Sequence, residues 1–109
     1  MADFVNDFEE AIRSRRKIRI TFYSKEDGHN LVRTCAPLDY GPSRRARDKS
    51  DRFHMWDYDS DTRSHILSLF PNQVATLEVL DEAFEPADLI TWDVTSSPWF
   101  LPRDWGAYS

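Results

Sequence analysis

The chain has 109 residues, a net charge of −5 and one cysteine, Cys35. That length makes a single domain spanning 1–109, one cysteine excludes an intramolecular disulfide, and no apolar run approaches the roughly 20 residues that a membrane helix needs. The acidic start MADFVNDFEE lacks the basic opening and apolar middle of a signal peptide, so a cytoplasmic protein with no membrane contact is expected.

Residues 3–15 read as a helix: Phe4, Val5, Phe8, Ala11 and Ile12 recur at helical spacing, with acidic residues early and basic residues late, as the helix dipole favours. KIRITFY at 17–23 alternates, with Ile18, Ile20 and Phe22 on one face, and reads as a half-buried strand. Asp27-Gly28 marks a turn into a second strand at 31–36 that stops at Pro37. A polar loop at 39–51 follows, then strands at 52–58 and 63–69 joined by a four-residue turn at 59–62. Pro71 opens a helical turn, and 74–80 forms a fifth strand. These short, closely spaced strands suit a small barrel or sandwich. Residues 81–109 form an aromatic extension with Trp92, Trp99, Phe100, Trp105 and Tyr108, too aromatic for a disordered tail. It is expected to dock on its own barrel or on a partner.

The four-residue turn pairs Tyr58 with Arg63, Trp56 with His65 and His54 with Leu67. That register puts Phe53, Met55 and Ile66 in the core and gathers His54, Trp56, Tyr58, Arg63 and His65 on the other face. A slip of one residue exchanges the faces. The His54/Trp56/Tyr58 face has two readings: a platform for a ligand, or a surface covered by the helix or the aromatic extension.

Charge is segregated along the chain. Residues 13–52 hold 12 of the 14 Lys/Arg and 5 of the 19 Asp/Glu, a local net of +7, and the remainder nets −12. Either the basic part binds an anion or a phosphate backbone, or the two parts neutralise each other within the fold or between copies. The loop 43–52 carries Arg44, Arg45, Arg47, Lys49 and Arg52, and with Arg33 forms the candidate phosphate-binding set. No enzyme is expected. Cys35 in an alternating strand is a packing residue, the three histidines lack metal-ligand spacing, and no Gly-rich phosphate loop or nucleophile elbow is present. No cofactor and no metal follow from the sequence.

The order helix, hairpin, proline, basic loop, aromatic strand, two strands and a closing Phe resembles the WYL domain family over roughly residues 8–88. Ala11-Ile12 fits that family's opening helix, Ile18, Ile20 and Tyr23 its first strand, and Gly28 its hairpin. Arg33 and Pro37 fit the exit from its second strand, and Phe84 its closing aromatic. Phe53-His54-Met55, followed by Trp56-Asp57-Tyr58, falls where the Trp-Tyr-Leu triplet belongs, although none of the three is retained. The next strand reads His65-Ile66-Leu67-Ser68-Leu69-Phe70 and lacks the family's arginines.

The resemblance implies a mainly β fold with one N-terminal α-helix: a small five-stranded SH3/Sm-like barrel over 17–80 carrying the C-terminal extension 81–109. It also implies a non-enzymatic module for ligand sensing, nucleic-acid binding or transcription regulation. The expected ligand-binding residues are Arg33, Arg44, Arg45, Arg47, Arg52, His54, Trp56 and Tyr58, with nucleic acid or a small anionic ligand as partner. The alternative is a protein-interaction or oligomerisation module that uses residues 90–109, with the basic patch structural.

Overall fold

The computed structural model describes residues 4–43, 46–60, 65–95 and 98–109. Five strands form one antiparallel sheet in the order β4-β3-β2-β1-β5. The fold is mainly β with one N-terminal helix. The sheet is not closed, so the barrel is a loose one with β4 and β5 as its two edges.

Helix α1, Phe4–Ser14, buries Phe8, Ala11 and Ile12 on one stripe. Arg15 ends it in the left-handed region at φ 56°, where its N–H bonds the Ile12 carbonyl. A side chain there is uncommon, and this single residue is the whole connection to β1, Arg16–Ser24. The carbonyl of Arg15 accepts the Phe84 N–H at 2.9 Å, so the helix end is tied to the end of the sheet.

β1 alternates as its sequence demands: Ile18, Ile20 and Phe22 are buried, with Arg19 and Thr21 between them. Burying each such side chain contributes about 1.5–3 kcal/mol. The hairpin into β2 turns at Gly28, whose φ of 73° suits glycine.

β2 spans His29–Pro42 and does not stop at Pro37. The proline lies inside the strand at an irregularity in the β2–β3 pairing between Pro37 and Asp39. A bulge absorbs the missing donor, and much of the expected loop at 39–51 becomes strand.

β3, Asp51–Asp57, turns Phe53, Met55 and Asp57 inward. Its register with β4, Ile66–Leu69, corrects the expected one: Phe53 faces Leu69, His54 faces Ser68, Met55 faces Leu67 and Trp56 faces Ile66. Everything has slipped by one residue. Leu67 and Leu69 join the inner face, whereas Ile66 is exposed and not core.

The cause lies just beyond Asp57. The Tyr58 N–H bonds the Thr34 carbonyl at 3.0 Å, and Asp59 accepts the Thr34 N–H at 2.7 Å. The chain stays bonded to β2 directly after Asp57. Residues 61–64, including Arg63, lie outside the described set.

A 3-10 turn at Pro71–Gln73 leads into β5, Val74–Ala83. Gln73 holds this junction: its side chain accepts from the Phe70 N–H at 2.9 Å and donates to the Tyr23 carbonyl at 3.2 Å. After Phe84 a short helix α2, Pro86–Leu89, begins the C-terminal extension. Leu89, Ile90, Val94 and Trp105 from this extension are all buried in the common core.

Candidate functional site

The sheet has an inner and an outer face, and the candidate residues divide between them. Arg33 pairs across from Ile20 and therefore faces inward. Arg52, His54 and Trp56 alternate with the buried Phe53 and Met55 and face outward, and Tyr58 follows on the same side next to Thr34. Arg47 is exposed in the loop. Arg44 and Arg45 lie outside the described residues.

On the outer face most polar atoms are already engaged. The Nε2 of His54 lies 2.9 Å from the Gly41 carbonyl, so it carries the proton, and Nδ1 accepts from the Ser68 hydroxyl at 2.8 Å. At the end of β3, His65 lies opposite the inward Asp57 and stacks on Trp56 with centroids 4.8 Å apart and planes 19° apart. Its Nδ1–H donates to the Asp57 carbonyl at 3.1 Å. The Lys17 ammonium lies 4.4 Å from the Tyr58 ring centroid and also pairs with Glu82. Burial pushes the Tyr58 phenol up to about 12, assisted by the nearby Asp88 and Glu82 carboxylates. The bonds from the strap 98–109 to the sheet go to Leu38 and Asp39, and no described bond joins it to His54, Trp56 or Tyr58.

The charge segregation is largely resolved inside the fold. Arg13 pairs with Glu9 and Glu10, Arg16 with Asp81, Lys17 with Glu82, and Arg19 with Glu78. Arg15 donates to the Asp104 carbonyl. Four of the five cations of 13–19 are thus matched by carboxylates of α1 and β5. The loop differs. Among the described residues Arg47 has no acidic partner. The Arg52 guanidinium lies 4.3 Å over the Phe70 ring, while its buried Nε lacks any acceptor.

On the inner face, α1 covers one end of the curved sheet, where Phe8 packs on Phe53 at 4.9 Å. The other end is open, with a cleft of about 440 Å³ lined by Phe22, Leu31, Leu67, Arg33, Asp57 and His65, among others. Arg33 Nε lies 3.6 Å from Asp57 Oδ2, and Asp57 is itself held by the Asp59 N–H at 2.9 Å. Cys35 lies deeper on this face. Burial and the neighbouring Asp57 and Asp59 raise its thiol far above the ordinary range, which leaves it a packing residue.

The residues that sequence reasoning missed are Asp39 and Arg103. The Arg103 guanidinium sits in the corner between two edge-to-face rings, 4.0 Å from the centroid of Trp99 and 4.5 Å from that of Trp105. It donates to the carbonyls of Leu38 and Leu101 and to Asp39 at 3.3 Å. Asp39 also accepts the N–H groups of Tyr40, Phe100 and Leu101 at 2.9–3.0 Å. Desolvation lowers the Arg103 guanidinium to about 10, opposed by Asp39, so it remains charged at neutral pH. Asp39 is a lone carboxylate among apolar neighbours in sequence, and Arg103 is one of only two basic residues outside 13–52. Those were the available signals.

No family model matches the chain, and no curated protein matches it. A solved structure does: the proteasome accessory factor B/C (PafBC) of Arthrobacter aurescens. It matches with a TM-score of 0.58 at 18% identity, over 75% of this chain and 12% of that one. The likeness is one of fold. The chain spans only a small part of that accessory factor. Among the described residues no helix is long and apolar enough to cross a membrane.

Proposed function

We propose that this chain is a non-enzymatic regulatory or accessory module, resembling WYL domains, that binds nucleic acid or a small anionic ligand. Binding runs through the basic loop and the adjoining outer face of β3, with Arg47 and Arg52 holding phosphate and Trp56 and Tyr58 offering rings. One observation carries this reading: the cations at 13–19 are engaged within the fold, whereas the exposed Arg47 has no acidic partner among the described residues. An unmatched cation near aromatic rings suits a single-stranded nucleic acid, where stacking is worth about 1–3 kcal/mol per base. The likeness in fold to a protein named as an accessory factor supports an accessory role.

A labelled single-stranded oligonucleotide titrated at two salt concentrations tests the proposal. Binding is expected at low salt, falling steeply as salt rises, and lost in the Arg47→Ala/Arg52→Ala double variant. An absence of binding at low salt refutes it. A second reading, a docking surface for a protein or a second copy through residues 90–109, is favoured by the exposed Trp92 and Phe100. Sedimentation velocity over a range of concentrations tests it.

A further inference from the structure

The open end of the sheet is separate from the basic loop and has its own chemistry. The inward side chains Phe22, Leu31 and Leu67 give it one apolar wall, while the rest of its exposed lining is mostly polar. Into this wall projects one cation, Arg33. Its Nε lies 3.6 Å from Asp57 Oδ2 in an ion pair, and no described residue is bonded to its two terminal nitrogens. Four N–H donors of a positioned, half-buried guanidinium are therefore left for an acceptor from outside.

The rim has the opposite charge. Glu26 and Asp27, at the β1–β2 hairpin, line the same cleft. Asp27 accepts only from Ser24, and Glu26 has no partner among the described residues. With Asp57 the lining holds three carboxylates against one guanidinium, so a bare anion is repelled by the rim and a bare cation by Arg33.

We propose that this cleft binds a small zwitterion: a free amino acid or short peptide whose carboxylate meets Arg33, whose ammonium meets Glu26 and Asp27, and whose apolar body lies on Phe22, Leu31 and Leu67. The volume of about 440 Å³ falls in the range of small-molecule sites and exceeds what a single ion needs. The two opposite charges at separate places on an apolar wall set the order of preference. A molecule bearing both charges satisfies both ends, and a molecule bearing one charge leaves the other end facing like charge or nothing.

The test uses the isotope-labelled full chain and three probes followed by amide chemical shifts. These are leucyl-leucine, its N-acetyl derivative, which keeps only the carboxylate, and leucyl-leucinamide, which keeps only the ammonium. Leucyl-leucine is expected to give saturable shifts at Leu31, Arg33 and Leu67, with each blocked form at least tenfold weaker. Arg33→Gln is expected to weaken leucyl-leucine at least tenfold while the rest of the spectrum is retained. Glu26→Gln/Asp27→Asn is expected to remove the preference over the acetylated form. If a variant fails to fold, the three probes on the native chain still decide. A blocked form that binds as tightly as leucyl-leucine overturns the proposal, as does the absence of saturable shifts at millimolar leucyl-leucine. Neither result bears on oligonucleotide binding at Arg47 and Arg52.

Discussion

Two arginine–aspartate pairs involve β2, one through Asp39 and one through Arg33, and they have opposite characters. Arg103 and Asp39 meet at 3.3 Å with side chains 1% and 10% exposed. Arg33 and Asp57 meet at 3.6 Å with side chains 33% and 9% exposed. In the first pair the donors of the guanidinium are distributed over two carbonyls and a carboxylate, and two tryptophan rings flank it. In the second, one nitrogen is held and the remainder faces a cleft. Charge complementarity alone does not separate a structural clamp from an available site. What separates them is how many of the donors are satisfied from within.

The comparison breaks most visibly at Arg103. Replacing it with alanine leaves the Asp39 charge buried beneath the strap, and such a loss costs about 3–5 kcal/mol. A matching loss in urea denaturation is expected, together with early proteolysis within 98–109. Gly41→Ala comes next. A Cβ at Gly41 would lie 2.5 Å from the Phe100 ring, and Phe100 donates its N–H to Asp39. Overpacking of this kind costs about 1–3 kcal/mol, and the expected result is partial release of the strap, read as faster amide exchange at Phe100 and Leu101. Arg33→Ala is expected to cost least of the three: the arginine is only partly buried and Asp57 keeps the Asp59 N–H, so the denaturation midpoint should fall less than in Arg103→Ala.

Much of this architecture was legible in the sequence, and the exceptions have physical reasons. The apolar stripe of α1 and the alternation of β1 identified those elements because one face of each is buried. Pro37 concealed the second half of β2, since a proline inside a strand argues for its end unless a bulge accommodates it. The register of β3 with β4 depended on where the turn begins, and that is fixed by the bonds of Tyr58 and Asp59 to Thr34, which no local pattern reveals. Ile66 and Leu67 look alike in sequence, and the observed register separates them: Leu67→Ala should cost more stability than Ile66→Ala, and the reverse order would restore the four-residue turn.

The candidate site was legible in its residue types but not in its division. Arg33 and Arg52 seemed to belong to one patch, yet strand parity puts them on opposite faces of the sheet. The neutralisation of 13–19 by β5 was visible as segregated charge, although its partners were not, because β5 reaches β1 only through the sheet's long connection. Asp39 and Arg103 are far apart in the chain, and their pairing exists only once the extension has folded back.

The most direct test of the contrast between the two pairs is nitrogen-detected exchange of arginine side-chain protons in the free protein. Slow exchange at the Arg103 guanidinium and fast exchange at the terminal nitrogens of Arg33 are predicted. Equal, fast exchange at both would contradict the account, because the strap would then not be clamped, and slow exchange at Arg33 would mean that the cleft is already filled from within.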